Sequence, residues 1–514
     1  SIGSEAFNSC ELLESVSIPD SVTNIDKFAF RECRALYDVE LPEKLTVIGA
    51  GAFADCESLT SISIPAALQE IKAGIWGSQN YWGPFTGCSS LNNVSFEEDC
   101  TFVLADLFYG CDGLENIIIP DSITVIEAEA FANCTNLIHV QMPDTVTEIE
   151  DGVFSGCYSL SEINLSTALT TIGGGAFADC ISLERITIPK TLQSVESGLS
   201  HYGRLYWGPF DSCTALKTVE FETGTVTVAD SLFEDCEGLV EIVLPDSITN
   251  IGKRAFYNCI NLESVQISAA VTEIGVCAFG NCTKLQDVTL PASLESIGGG
   301  AFYSCTSLTQ INIPKTLKTV KFGLGHYGEQ FSGAFENCSA LKNVEYENGI
   351  TLIPGSLFVN CTGLETVQFP DTVTKVEGSA LKGCINLKSA IFGDNITEVG
   401  TRVFYGCSAL ETVKLPNNCQ EIPAMMFYGC KNLEEINLPS TIRYIRESAF
   451  EKSGLHSLEL PDTVELIGAY VFRECENLEK VDLNEGLTDI GRAAFEECRS
   501  IEEIVIPDSL KTLG

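Results

Sequence analysis

Residues 52–71 read AFADCESLTSISIPAALQEI. The part that ends Ile62-Ser63-Ile64 alternates apolar and polar residues, which is the period of a half-buried β-strand. Pro65 follows at the strand end, where a missing N–H does least harm. Leu68 and Ile71 mark a second short extended segment. Ala52, Phe53 and Cys56 read as a tight turn, or as a short 3₁₀ or helical turn, that drops Phe53 and Cys56 into a core.

The same spacing recurs along the whole chain. Of 23 cysteines, 20 fall on one ladder that begins Cys10, Cys33, Cys56 and ends Cys475, Cys498. Most steps are 23 residues; three are 32, 33 and 33. One step of 45 contains a unit whose cysteine has become Ser453, which makes 21 units. A phenylalanine stands three residues before the cysteine in nearly every unit, Leu381 being an exception. A unit this short cannot offset its own ordering entropy, whereas stacked units share buried faces and strand hydrogen bonds.

A longer period overlies the short one. Segments of 9 to 10 extra residues precede Phe85, Phe210 and Phe335, positions 125 residues or five units apart. Gly173-Gly174-Gly175-Ala176-Phe177 reappears as Gly298-Gly299-Gly300-Ala301-Phe302. The unit after each insert lacks the usual proline and carries Glu97, Glu222 or Glu347. These matches imply tandem duplication of a five-unit block, with copies at about 57–180, 181–305 and 306–430 and inserts at about 74–84, 198–209 and 323–334. Ile2-Gly3 and Leu513-Gly514 occupy the same point of the unit, and neither end shows a polar cap, so we expect an excerpt of a longer solenoid. Open ends that stack head to tail are the alternative.

A period of 20–29 residues with Leu and Ile at fixed offsets marks a solenoid of the leucine-rich-repeat type. We expect one continuous solenoid over 1–514, mostly short β-strands, with a parallel sheet on one face. The string Ile18-Pro19-Asp20-Ser21-Val22-Thr23-Asn24-Ile25, then Ala29-Phe30 and Cys33, resembles the BspA-like leucine-rich repeat family. Ile119-Pro120-Asp121-Ser122-Ile123-Thr124 and Leu244-Pro245-Asp246-Ser247-Ile248-Thr249 repeat it. The resemblance implies a surface or secreted protein of gut or oral bacteria or of parasitic protists, with adhesion to host proteins or other cells. It brings no catalytic residues with it.

Charge and motif content narrow the function classes. Lys and Arg number 30 and Asp and Glu 71, for a net charge of −41, which repels phosphate backbones and anionic lipid. No apolar run approaches 18 residues, so no segment inserts in a membrane as a helix. His139, His201, His326 and His456 are scattered, and no zinc-protease, nucleophile-elbow or phosphate-loop pattern occurs. We expect no enzyme and no cofactor. There is no C-x-x-C pair, and each ladder cysteine would face two equivalent neighbours about 4.8 Å away. The ladder therefore reads as buried free thiols rather than as disulfides or metal ligands. Cys100, Cys277 and Cys419 lie off the ladder and are candidates for exposure. Free thiols suit a reducing compartment, so an intracellular location stays open beside a cell-surface or extracellular one; burial from oxidant reconciles the thiols with the latter. Asp residues after proline, such as Asp20 and Asp144, read as solvated turn formers rather than calcium ligands.

The inserts hold the candidate binding residues. They are Trp76, Tyr81 and Trp82; His201, Tyr202, Tyr206 and Trp207; and His326, Tyr327 and Phe331. Gly and Pro place them in loops. Two readings stand: a row of aromatic loops for a host or neighbouring-cell protein or glycan, or rings folded back to plug a widened turn. The matching whole-chain readings are a non-catalytic adhesion scaffold and a structural spacer or self-assembling rod.

Overall fold

The computed structural model describes residues 1–72, 74–76, 79–81, 83–199, 205–206, 208–324 and 328–514; for 74–76, 79–81, 199 and 206 it describes the backbone alone. The chain is a parallel β-solenoid of about 21 turns of 23 residues, and no described residue is helical. It forms two compact units. One comprises Ser1–Ile248 and Ala255–Asn261, the other Thr249–Arg254 and Leu262–Gly514.

In the first unit each turn lays down two short strands, and like strands pair in parallel one turn apart. His139 stands opposite Asn116 and Glu162, and Glu148 opposite Thr171, offsets of 23 residues. The first strand of each turn alternates as the sequence predicts: Val140 is buried between exposed His139 and Gln141. The inserts do not interrupt pairing. Ser61–Ile64 pairs with Asn93–Phe96, and Arg185–Ile188 with Thr218–Phe221, each over four residues.

The third side of each turn, the A-F-x-x-C stretch, is a run of β-turns rather than a 3₁₀ or helical turn. Ala130, Ala132 and Cys134 donate their N–H groups to carbonyls three residues back, while Glu129, Phe131 and Asn133 donate to the next turn. Folding this tightly requires left-handed backbone. In all 21 turns the residue before the ladder position has φ between 54° and 75°. Fourteen of these residues are Gly, Asn or Asp, the types that enter this region most cheaply.

Phenylalanine and cysteine fill the core behind these turns. From Phe7 to Phe256, eleven rings stack face to face with centroids 5.0 to 6.0 Å apart. Each such pair adds about 0.5–1.5 kcal/mol beyond its buried area. The cysteines are free, and 21 of 23 are buried; Cys10 is exposed and Cys498 partly so. They are more than small hydrophobes. Each of Cys134, Cys157 and Cys180 donates its thiol hydrogen to the carbonyl of the phenylalanine one turn back, at 3.1, 3.3 and 3.3 Å. Burial pushes the Cys134 thiol up to about 12, so it stays protonated and unreactive at neutral pH.

The second unit repeats this plan. Phe279, Phe302, Phe335 and Phe358 stack; Leu381 interrupts the column; Phe404 to Phe495 resume it. Its first-strand pairs include Gln310–Ile313 with Asn343–Tyr346, Ser389–Ile391 with Thr412–Lys414, and Ser457–Glu459 with Lys480–Asp482. Among the described residues of this unit, 434–439 and 501–507 occupy the first-strand position without forming a strand, and Asp287–Val288 does not pair with Gln310–Ile313, nor Asn343–Tyr346 with Thr366–Gln368. The second strands stay continuous there, from Glu421–Ile422 through Tyr444–Ile445 to Leu466–Ile467.

The off-ladder cysteines correct the expectation of exposure: Cys100, Cys277 and Cys419 are all buried. Cys100 and Cys419 hold the position three after the proline (or its glutamate replacement) that is Leu68, Ile123 or Val146 elsewhere. Cys277 takes the turn position of Gly152 and Gly300, with φ 54°.

Candidate functional site

The inserts are antiparallel hairpins, not irregular loops. Gly74–Trp76 pairs with Gln79–Tyr81, Gly198–Leu199 with Leu205–Tyr206, and Gly323–Leu324 with Gln330–Phe331. A hairpin satisfies its own backbone hydrogen bonds, so ten residues can leave the solenoid without disturbing the strands on either side.

The glycine runs make room for these hairpins. A Cβ at Gly299 would clash with the backbone carbonyl of Phe331, and one at Gly300 would lie 2.9 Å from the Phe331 ring. Gly300 also needs a φ of 67°. Two turns earlier, Val276 lies so close beneath Gly323 that no side chain fits there, and Asp151 does the same beneath Gly198. The Asp151 carboxylate accepts the Gly174 N–H at 3.0 Å, and burial raises its pKa.

The candidate aromatics separate. Phe331 is 5% exposed and packs edge-on to Tyr303, with centroids 4.8 Å apart. Its ring plugs the turn and is not available to a partner, which removes it from the set of contact residues. Trp76, Tyr81 and Tyr206 lie in hairpin strands, their side chains outside the described residues. Trp82, His201, Tyr202, Trp207, His326 and Tyr327 lie outside the described residues altogether. The first strand of the third hairpin and the residue before it carry exposed side chains that the aromatic motif did not flag: Phe322 at 59% and Leu324 at 61%. Phe322 and Leu324 flank the buried Gly323, and their alternation is visible in the sequence.

The glutamates that replace proline after each insert have a specific task. Glu222 accepts the Lys190 N–H at 3.0 Å and the Lys190 Nζ at 2.8 Å. Glu347 holds Lys315 the same way, and Glu97 accepts the Ala66 N–H. The lysine hydrogen bonds lower the pKa of Glu222 and Glu347. The clamp secures the corner after the insert, where proline would have no side-chain acceptor to offer.

The outer positions of the first strands are mainly polar, with Ile118 and Val243 as exposed apolar exceptions in the first unit. Among the described residues, no three His, Cys, Asp or Glu side chains come together as a metal site, and no helix is long and apolar enough to cross a membrane.

The BspA type leucine rich repeat region matches residues 1–82, 83–201, 207–324, 331–454 and 398–514. The chain belongs to the BspA-type leucine-rich repeat family. Proteins built from leucine-rich repeats serve in general as non-catalytic scaffolds for protein partners. Solved structures similar to this chain include a leucine-rich repeat protein from Bacteroides ovatus, at 23% identity over 88% of this chain and 92% of that one, with a TM-score of 0.44. A leucine rich cell surface protein from Faecalibacterium prausnitzii matches at 21% identity over 88% of each chain, with a TM-score of 0.27. The pneumococcal vaccine antigen PcpA matches at 16% identity over 88% of this chain and 83% of that one, with a TM-score of 0.28. No curated protein matches.

Proposed function

We propose that this BspA-type chain is an adhesion module, secreted or held at a cell surface, that binds a host or neighbouring-cell protein or glycan. The observation that carries this reading is the repeated hairpin. In the first unit, equivalent hairpins follow one another after five turns, or about 24 Å at 4.8 Å per turn. Regular spacing of projecting elements suits multivalent attachment, in which linked weak contacts reinforce one another. The exposed Phe322 and Leu324 supply apolar contact area of the kind that partners bury. Burial of the thiols from oxidant fits an extracellular location.

The test is adherence of chain-coated beads to epithelial cells and to immobilised host proteins, with acrylamide quenching of tryptophan fluorescence alongside. Trp82→Ala with Trp207→Ala, and Phe322→Ser with Leu324→Ser, are expected to lower adherence at least tenfold with the fold intact. Unchanged adherence in both double variants would end the hairpin reading. A spacer without a ligand is the second reading, and the buried Phe331 favours it. It predicts shielded tryptophans and no adherence by the unmodified chain.

A further inference from the structure

The third side of the turns, where Phe and Cys enter the core, carries acids along much of the chain; Asp55, Glu129, Asp179 and Asp235 stand there in the first unit. Three successive turns of the second unit break this pattern. Residues 378–383, 401–406 and 424–429 contain no Asp or Glu. They present Lys382, Arg402, Tyr405, Met425 and Tyr428 at the surface, and acids resume at Glu447. Tyr405 and Tyr428 stack one turn apart, with planes 3° and centroids 4.6 Å apart. Lys382 Nζ lies 5.7 Å from the Tyr405 ring centroid, and Lys452 Nζ lies 5.7 Å from that of Tyr428. The column Lys-Tyr-Tyr-Lys spans three steps, or about 14 Å at 4.8 Å per turn. Unlike the core phenylalanines, these two rings stack while partly exposed, which holds them in a fixed row at the surface.

Glycines pave the strip beside the column. Gly383, Gly406 and Gly429 hold the left-handed position of their turns, with φ of 75°, 74° and 71°. A Cβ at Gly406 would meet nothing within 4 Å, and one at Gly429 only the Gly406 Cα at 3.8 Å. Exposed Lys431 follows two residues after the last of them. Lys382, Arg402 and Lys431 have no ion-pair partner among the described residues. Lys452 is held by Glu474 at 3.4 Å, and the adjacent Glu451 is 6% exposed and reaches Arg473 at 3.7 Å. The backbone of the strip is already engaged: the N–H groups of Gly383, Gly406 and Gly429 donate to the carbonyls of Tyr405, Tyr428 and Glu451 at 2.8, 2.8 and 2.9 Å.

We propose that this strip binds a sulfated glycan. The inference rests on the adhesion reading and names a ligand class for it. With the turn amides paired, a partner's peptide strand finds no donors here, and recognition falls to side chains. Ammonium, guanidinium and phenol groups set one turn apart supply hydrogen bonds to sulfate oxygens, and those from the cations are charge-assisted. Sulfates repeated along a sugar chain meet donors repeated along the turns. The tyrosine rings and Met425 give the sugar rings apolar contact. Acids farther away than about 8 Å are screened at physiological salt, so a net charge of −41 does not forbid a local anion site. The acidic surface elsewhere repels the same ligand, which confines binding to the strip.

The test uses the full chain and a fluorescein-labelled heparin octasaccharide, with binding followed by anisotropy. The expected result is saturable binding, at least tenfold weaker for the desulfated octasaccharide, which keeps its carboxylates. Lys382→Gln with Arg402→Gln is expected to weaken binding at least tenfold. Lys284→Gln with Lys342→Gln removes the same charge from exposed positions elsewhere in the unit and is expected to leave binding unchanged. Position 406 gives the sharpest comparison, because Asp and Asn both occupy the equivalent left-handed position in other turns, as at Asp179 and Asn360. Gly406→Asp is expected to bind at least tenfold more weakly than Gly406→Asn, which adds the same bulk without the charge. No binding, or equal losses in the two double variants, would overturn the proposal. Equal affinity for the desulfated octasaccharide would overturn it in favour of carboxylate recognition, and equal affinity for polyglutamate in favour of an acidic protein partner. Failure here is distinguishable from failure of the adhesion reading, because the adherence assay is scored on hairpin variants that leave residues 378–431 unaltered.

Discussion

Ten added residues at 198–209 leave Arg185–Ile188 and Thr218–Phe221 paired over four residues, whereas the turn that precedes the missing residue near 453 forms no first strand at 434–439. The difference lies in where each change falls. An insertion at a corner leaves the core and folds on itself as a hairpin. A deletion shortens the path round the core, and the corner is drawn in until a Cβ on Gly454 would meet the Lys431 carbonyl. The chain therefore tolerates growth on its edge far better than loss from its circumference.

The thiol column is common to both regions and gives the largest expected effect. Burial holds Cys88, Cys134, Cys236, Cys338 and Cys384 up to about 12. An unfolded thiol titrates near pH 8.5. The folded pKa lies above the unfolded one, so this stabilisation is complete below about pH 8.5 and is lost as pH rises toward 12, by about 1.4 kcal/mol per pH unit for each such thiol. Denaturant melts at pH 7, 9 and 10.5 should show a steep alkaline loss, with thiol alkylation rising in step. Retained stability at pH 10.5 would mean that the thiols are already accessible in the folded chain.

Alanine placed at two glycines sets the lesions against each other directly. Gly454→Ala drives a methyl into a backbone carbonyl and should cost about 1–3 kcal/mol. At the third hairpin Gly328 has nothing within 4 Å, and its φ of 82° leaves only a backbone penalty of about 1–2 kcal/mol confined to the hairpin. Limited proteolysis should therefore register Gly454→Ala throughout the second unit and Gly328→Ala only at the hairpin. Equal, global effects would contradict the contrast.

Cys157→Ala removes the thiol bond to the Phe131 carbonyl and should cost about 1 kcal/mol, read from the denaturation midpoint. The smallest effect is expected from Glu347→Gln. The lysine bonds depress the Glu347 pKa, so its contribution is present above the unfolded carboxylate range and fades as pH falls through the folded value. Faster exchange of the Lys315 amide, with no change in the global midpoint, is the expected reading.

Much of this was legible before any coordinates. The alternation in Ser61–Ile64, the Phe53 and Cys56 spacing and the 125-residue block each describe a local or periodic requirement, and stacking in register makes every turn meet it alike. The Gly, Asn or Asp before most of the ladder cysteines is an equally plain signal for left-handed turns. Cys100 and Cys419 were misjudged because they were compared with the cysteine ladder rather than with the leucine position they fill.

The candidate site was less legible, because its residues act across turns. Phe331 belongs to an aromatic motif, yet its burial depends on Gly299 and Gly300, some thirty residues earlier. Glu222 gained its meaning only when Lys190 was found opposite it. The missing residue near Ser453 can be counted in the sequence, but not the absence of a first strand at 434–439 in the turn before it. The sequence by itself determined the repeat, the strand faces, the core column and the acidic surface, since each follows from the order of residues within a single turn. Only the tertiary structure decided which aromatic is buried, which carboxylate clamps which corner and which turns lack a first strand. Those outcomes depend on how neighbouring turns share space and hydrogen bonds, and no one repeat contains that information.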